Sequence, residues 1–152
     1  MTLPAALTDA VGTWAGTNGF RLMPSDPLHD APATAEVSTA AGGNLVAIAY
    51  TWAHPADGPQ DGLLVLGAAD DEGAATAFWA DSWHQSPAPQ LLGGAIDGDV
   101  VTISYEYGEG WQWHVTVDAT DPQALRLGMD NVTPDTPAYP VMVATLRREP
   151  ID

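Results

Sequence analysis

Residues 77–87 read AFWADSWHQSP and carry the densest group of chemically active side chains in the chain. Asp81, Ser82 and His84 bring a carboxylate, a hydroxyl and an imidazole close together. These are the residue types of a nucleophilic triad, and Asp81 with His84 is also a candidate general acid–base pair. No nucleophile-elbow sequence surrounds the serine, and residues so close along a chain seldom reach triad geometry. The segment therefore disfavours a hydrolase and leaves acid–base chemistry open.

Alternation along a strand divides these side chains between two faces. If the segment is extended, Trp79, Asp81 and Trp83 lie on one face, while Ser82 and His84 lie on the other. We predict that the tryptophan–aspartate face points inward. The Asp81 and His84 side chains then meet only if the strand ends near Ser82 and turns.

Histidines from different loops are the candidates for a metal site. His54 and His84 could be joined by Asp81 or His29, but their spacing matches no metal-binding motif. The chain has no cysteine, so thiolate ligands and disulfides are excluded. We predict neither a metal nor a cofactor.

Charge restricts the classes of partner. The 152 residues include 20 acidic and only four basic ones, with a net charge of −16. Such a chain repels phosphate backbones and anionic lipid, so nucleic acid and membrane are not expected partners. The acidic surface is typical of a protein from a saline environment or from an alanine-rich, lysine-poor proteome, and a surface for a basic partner is the alternative. No leader peptide or membrane span is expected, which favours a cytoplasmic location. The expected oligomeric state is a monomer or a homodimer.

The elements that position these residues are predicted to be strands. Short apolar, β-branched and aromatic runs recur, separated by turn sequences such as AGGN, DDEG, DGD and GEG. The ten predicted strands are Thr13–Leu22, Ala33–Ala40, Leu45–Ala53, Gly62–Ala69, Ala74–Trp83, Leu91–Ile96, Val100–Tyr107, Trp111–Asp118, Ala124–Val132 and Tyr139–Arg148. A short helical turn is predicted in LPAALTDAV. Short hairpins favour an all-β, up-and-down antiparallel barrel over residues 1–152, because closure removes the sheet edges.

Two terminal segments and the Asp-Ser segment resemble a known superfamily. The first strand, VGTWAGTNGFRLMP, has the Gly-x-Trp-x-Gly opening of the calycins, which include lipocalins, fatty-acid-binding proteins and nitrobindins. The last strand, YPVMVATLRRE, ends in a basic pair like the closing strand of that superfamily, and DSWHQSP resembles a segment of a related uncharacterised bacterial family. The resemblance implies a small ligand-binding barrel in which Trp14 plugs one end.

The resemblance also raises haem binding as an alternative. Nitrobindins bind haem through a histidine of the closing strand, but Val141–Leu146 contains no histidine. Haem binding by that route is therefore disfavoured.

Strand directions gather the candidate site at one end of the barrel. All four histidines, at positions 29, 54, 84 and 114, map to the end opposite Trp14. Alternation places Tyr105 with Tyr107, and Trp113 with Trp111, on inward faces, and His114 outside. Arg21 could pair with a ligand carboxylate, although a neighbouring aspartate is the commoner partner. The candidate ligand-binding residues are Arg21, Tyr50, Trp52, His54, Trp79, Asp81, Trp83, His84, Tyr105 and Trp113.

The leading hypothesis is binding of a small hydrophobic or aromatic molecule inside the barrel. The aromatic side chains would form its walls, and His54, Asp81 and His84 the polar groups at the mouth. Ordinary core packing explains the same aromatic set equally well. The alternative from another class is a cofactor-free isomerase, cyclase or lyase that uses His84 or Asp81 as general acid–base.

Overall fold

The chain forms a closed antiparallel β-barrel of ten strands. The computed structural model describes residues 3–150, without the side chains of residues 85–87. The strands are β1 Gly12–Phe20, β2 His29–Ala40, β3 Leu45–His54, β4 Gly58–Ala68, β5 Ala74–Asp81, β6 Gln85–Asp97, β7 Val100–Gly108, β8 Trp111–Asp121, β9 Ala124–Thr133 and β10 Thr136–Arg148. A helical turn, α1 Ala5–Thr8, precedes β1, and a 3-10 turn, Ala41–Gly43, follows β2. The predicted fold class, strand number and helical turn are confirmed.

Every strand pairs with its neighbours along the chain, and β1 pairs with β10 to close the barrel. Odd-numbered strands therefore run toward one end, which we call the upper end, and even-numbered strands return from it. The lower end carries α1. Among the described residues no helix is long and apolar enough to cross a membrane.

Glycines form the predicted hairpin turns. Gly73, Gly98 and Gly110 have φ values of +95°, +59° and +78°, a region that L side chains rarely adopt. Four strands begin three or more residues earlier than predicted, β2 at His29, β4 at Gly58, β6 at Gln85 and β10 at Thr136. Their first residues include proline, glycine and aspartate, which have low strand propensity, and pairing within the barrel overrides that preference.

A tryptophan fills the lower end, as predicted. Trp14 is 2% exposed, and its Nε1 donates to the Ala10 carbonyl at 2.9 Å, directly after α1. The Arg148 guanidinium lies 4.5 Å from the centre of its ring. Leu7 of α1 is fully buried. The lower end is thus closed by packed apolar groups.

Inward faces follow the predicted alternation except at the upper rim. Val46, Ile48, Tyr50 and Trp52 of β3 are buried, as predicted. Tyr107 and Trp111, which were predicted to face inward, are 47% and 42% exposed. They lie at the tip of the β7–β8 hairpin, which has a register shift and extends beyond the last residues that pair with β6 and β9, so neither side chain is buried.

Candidate functional site

Asp81 is the centre of a buried hydrogen-bond network at the upper end. Its Oδ2 accepts hydrogen bonds from Tyr50 Oη at 2.6 Å and Trp52 Nε1 at 3.1 Å. Its Oδ1 accepts from the backbone N–H groups of Trp83 at 2.8 Å and His84 at 2.9 Å. A carboxylate has about four acceptor positions, and all four are occupied. Asp81 is therefore placed to hold the surrounding residues rather than to take a proton.

Three neighbouring strands position this network. Tyr50, Gly62 and Asp81 lie side by side on β3, β4 and β5. The phenol of Tyr50 passes over Gly62 to reach Asp81, and a Cβ at position 62 would lie 2.2 Å from Tyr50 Oη. Tyr50 Oη also accepts from Trp79 Nε1 at 2.8 Å. Burial, and then the Asp81 charge, raise the pKa of Tyr50 well above its ordinary value, so the phenol stays protonated.

The chain turns into the barrel immediately after Asp81. Because β5 ends there and Asp81 fixes the next backbone groups, the His84 side chain enters the interior. The prediction that His84 shares the outer face with Ser82 is therefore wrong. Ser82 is exposed, and its Oγ donates to Gln60 Oε1 at 2.7 Å. The barrel wall separates serine from histidine, so no triad forms.

Five aromatic rings surround the His84 imidazole, and we call them the aromatic cage. They are Phe20, Trp52, Trp79, Trp83 and Trp113, with ring centres 4.9–6.2 Å from that of His84. Trp52 stacks on the imidazole at 20°, and Trp83 meets it edge-on at 86°. The predicted inward tryptophans are thus brought together. Tyr105 is half-buried at the side of the cage, 6.4 Å from Trp79.

The imidazole in the cage is uncharged at neutral pH. Burial lowers the pKa of His84 to about 4, and the Asp81 carboxylate opposes that shift without cancelling it. His84 Nε2 lies 2.9 Å from Met142 Sδ. A thioether only accepts, so this hydrogen bond requires the proton on Nε2.

His54 presents a buried N–H group that has no partner. Its Nδ1 accepts from the backbone N–H groups of Ala56 and Asp57, both at 3.0 Å, so the proton is on Nε2. For the same reason the 3.6 Å contact between Nδ1 and the Asp57 carboxylate is not an ion pair. His54 stacks on Trp83, whose Nε1 donates to Asp57 Oδ2 at 2.8 Å. Within the described chain, His54 Nε2 is buried and lacks a hydrogen-bond partner.

Trp113 supplies a second donor of this kind. It stacks on Trp79 at 5.8 Å with an angle of 7°, and it is 8% exposed. Its Nε1 is likewise buried without a partner among the described residues. An indole N–H can only donate. The upper interior therefore holds two unused N–H donors within largely aromatic walls.

The space left below the cage is small. A cavity of about 10 Å³ is lined by Asn18, Tyr50, Trp52 and Met142 together with apolar residues of β9 and β10. It has room for about one water molecule. A larger ligand must displace a side chain, and the His84 ring is the group that the cage encloses.

The other candidate residues lie away from the cage. The Arg21 guanidinium donates to the carbonyls of Pro24, Asp26 and Pro140. His29 is exposed, and His114 faces outward, as predicted, with its Nε2 2.9 Å from Gln112 Oε1. Within residues 3–150 no three histidine or acidic side chains are grouped so that they could hold a metal ion.

Three residues at the upper end were not found from the sequence. Phe20 belongs to the cage, Asn18 lines the cavity, and Met142 contacts His84. Alternation from Trp14 would have placed Asn18 and Phe20 inside, because both lie on the same face of β1. Met142 follows a register shift in β10, which breaks alternation and hides its direction from sequence reasoning.

A larger groove of about 310 Å³ lies at the lower end. It is lined by Asp9, Asp99, Asp121 and Arg148 among others. Arg148 there donates to the carbonyls of Asp9 and Val11. The unpartnered buried side-chain atoms of the described chain belong to Asn18, His54 and Trp113, and none of these residues lines the groove. The upper end is therefore the better candidate site.

The haem ligand that the calycin resemblance implies is missing from this chain. The closing strand β10 has no histidine, and the sulfur of its buried Met142 is already in contact with His84. The upper interior is filled by the cage and the His84 ring.

Comparison with solved structures supports the fold alone. The barrel superposes on the crystal structure of Rv2717c from M. tuberculosis with a TM-score of 0.67 and 16% identity, covering 97% of this chain and 99% of that one. No protein-family model matches the chain. No curated protein matches it either.

Proposed function

We propose that the upper end of the barrel binds a small, neutral, planar aromatic or hydrophobic molecule that carries a hydrogen-bond acceptor. The observation that carries this proposal is the pair of buried, unpartnered N–H groups of His54 and Trp113. An unpaired buried donor costs about 1–3 kcal/mol of stability, so two of them in one aromatic interior favour a partner that the chain alone does not supply. The calycin resemblance supports the same proposal.

The ligand takes the place of the His84 ring. The imidazole is itself a planar ring held by stacked and edge-on aromatic contacts, so the cage already accommodates such a group. His84 follows the end of β5, and its side chain can rotate away while Asp81 keeps the backbone N–H. Affinity comes mainly from burial of ligand surface, about 25 cal/mol per Å² before the costs of ordering.

A neutral ligand fits the charges. Asp81 is the single charged residue buried in the described chain, and its hydrogen bonds are complete. An anion would be repelled by Asp81 and by the net charge of −16. A cation would be attracted by the aromatic faces, but it could not pair with the free N–H groups of His54 and Trp113, which need an acceptor. The acid–base alternative has weaker support because the Asp81 oxygens are fully engaged.

Two isosteric probes test the proposal. Quinoline has a ring nitrogen that accepts a hydrogen bond, whereas naphthalene has the same shape and none. In tryptophan-fluorescence titrations at pH 8, the wild-type protein should bind quinoline about tenfold more tightly than naphthalene. His84→Ala should bind both more tightly than wild type, because no ring has to leave the cage.

Ser82→Ala is the matched control, since Ser82 lies on the outer face two positions away and should change neither affinity. Failure of wild type to bind either probe contradicts the proposal. Binding by His84→Ala alone also contradicts it, because that result describes a cavity created by the substitution.

A further inference from the structure

The described chain has two buried polar residues, Asn18 at 1% exposure and Asp81 at 2%, and they differ in their hydrogen bonding. Asp81 accepts four hydrogen bonds, whereas neither Oδ1 nor Nδ2 of Asn18 has any partner. Burial of an amide without partners costs free energy, and a near-isosteric leucine would avoid that cost. The position therefore calls for a partner that offers both an acceptor and a donor.

The surroundings of Asn18 provide no such partner. The cavity that it lines is walled mostly by apolar side chains, including the small Ala33 and Ala144, and also by Thr34 and Thr51. The hydroxyls of these two threonines lie 2.6 Å apart and are hydrogen-bonded to each other. The Tyr50 hydroxyl also belongs to the lining, but it is already engaged, because it donates to Asp81 and accepts from Trp79. The cavity of about 10 Å³ has room for about one water molecule, which could pair the amide oxygen and one N–H of Asn18. A ligand edge with an adjacent carbonyl and N–H offers the same two partners and displaces that water.

Asn18 lies directly below the aromatic cage. It precedes the cage residue Phe20 by two positions on β1, which separates them by about 7 Å along the strand. Trp52 and Met142 line the Asn18 cavity, and both also contact the His84 ring. Methionine is a flexible side chain that adapts to its neighbours. A bicyclic molecule would reach Asn18 from the cage by replacing the His84 ring and shifting Met142.

We propose that the Asn18 amide is the specificity-determining group at the deep end of the binding site. It recognises a neutral ligand edge that both accepts and donates a hydrogen bond, as in a lactam or an amide. This inference rests on the proposed function and narrows its ligand class. Asn18 binds the buried end of the ligand, and the N–H groups of His54 and Trp113 remain available to a ligand that carries a further acceptor nearer the mouth.

The probes 2-quinolone and quinoline test this role. The two bicycles have nearly the same shape, but 2-quinolone presents an adjacent carbonyl and N–H, whereas quinoline presents only an acceptor. Wild type should bind 2-quinolone about tenfold more tightly than quinoline in fluorescence titrations. Asn18→Leu should abolish this preference and leave the affinity for quinoline within about threefold of wild type.

Met129→Leu is the matched control, because Met129 lines the same cavity without a polar group and the variant should keep the preference. A second measurement covers the case in which Asn18→Leu does not fold. The chain has three asparagines, and the side-chain amide signals of Asn18, Asn44 and Asn131 can be assigned by NMR among those of the five glutamines. Addition of 2-quinolone to wild type should shift the Asn18 signals far more than those of the other two.

The outcomes separate this inference from the proposed function. Equal affinity of wild type for the two probes, a preference that survives in Asn18→Leu, or unshifted Asn18 signals at saturation would each overturn the role of Asn18 and leave the proposed function standing. Absence of binding of either probe by wild type would contradict the proposed function and this inference together.

Discussion

The two ends of the barrel differ in whether their buried side-chain N–H groups have hydrogen-bond partners. At the lower end, Trp14 is buried with its indole N–H on the Ala10 carbonyl, and Arg148 covers the ring while donating to two further carbonyls. At the upper end, Trp113 and His54 are buried with N–H groups that the described chain leaves unpaired. Because these buried donors are paired at the lower end and unpaired at the upper end, the upper end is the candidate binding site.

The two ends should also differ in their sensitivity to substitutions and to pH. The lower end is built from apolar packing and backbone hydrogen bonds, which depend little on pH. The upper end depends on one carboxylate, one phenol and one uncharged imidazole in a low-dielectric interior. Substitutions and pH changes should therefore act strongly on the upper end and weakly on the lower end.

Removal of the Asp81 carboxylate should have the largest effect. Asp81→Ala leaves Tyr50 Oη, Trp52 Nε1 and two backbone N–H groups without an acceptor. We expect a loss of about 3–5 kcal/mol in the free energy of unfolding, measured by urea denaturation. Asp97→Ala, at an exposed aspartate of β6, should change it by less than about 0.5 kcal/mol. Similar losses for both variants would show that the network does not stabilise the upper end.

Acidification should weaken the upper end through His84. Its pKa is about 4 in the folded protein and 6.5 for an ordinary histidine, so the unfolded chain binds the extra proton first as the pH falls. Stability is therefore complete above pH 6.5 and decreases toward pH 4, by up to about 3 kcal/mol from this residue. Asp81 and His54 also face the ring, so the comparison must be between variants.

Urea denaturation at a series of pH values isolates the His84 contribution. His84→Phe keeps an aromatic ring in the cage and should lose this part of the pH dependence. His29→Phe, at an exposed histidine of the same end, should retain it. Identical pH profiles for wild type and His84→Phe would contradict the buried, uncharged state of His84.

Gly62 is expected to be essential to the same network for a steric reason. A Cβ at this position would lie 2.2 Å from Tyr50 Oη, so Gly62→Ala must push the phenol away from Asp81. We expect a loss of about 2 kcal/mol in the free energy of unfolding and a changed near-ultraviolet circular dichroism signal. Gly128→Ala in β9 meets no atom within 4 Å and should be nearly neutral. Equal effects of the two substitutions would mean that Tyr50 has room to move.

Regular alternation made most of the barrel predictable, and its interruptions hid most of the site. The inward face of β3 and the outward direction of His114 follow from a period of two. His84 was assigned to the wrong face because Asp81 ends the strand and captures the next backbone N–H groups. Met142 follows a register shift in β10. Long-range hydrogen bonds and bulges of this kind leave no periodic signal in a sequence.

The smallest effect is expected from a substitution at the lower end, which tests whether the two ends are independent. Arg148→Met removes a guanidinium that lies 4.5 Å from the Trp14 ring centre and donates to the carbonyls of Asp9 and Val11, but it keeps an apolar cover on the ring. We expect a loss of about 1 kcal/mol in the free energy of unfolding. Quinoline affinity should remain that of wild type, because the aromatic cage lies at the opposite end of the barrel. A drop in quinoline affinity comparable to the loss of stability would show that the two ends are coupled, and the incomplete upper end could then no longer be treated as a separate site.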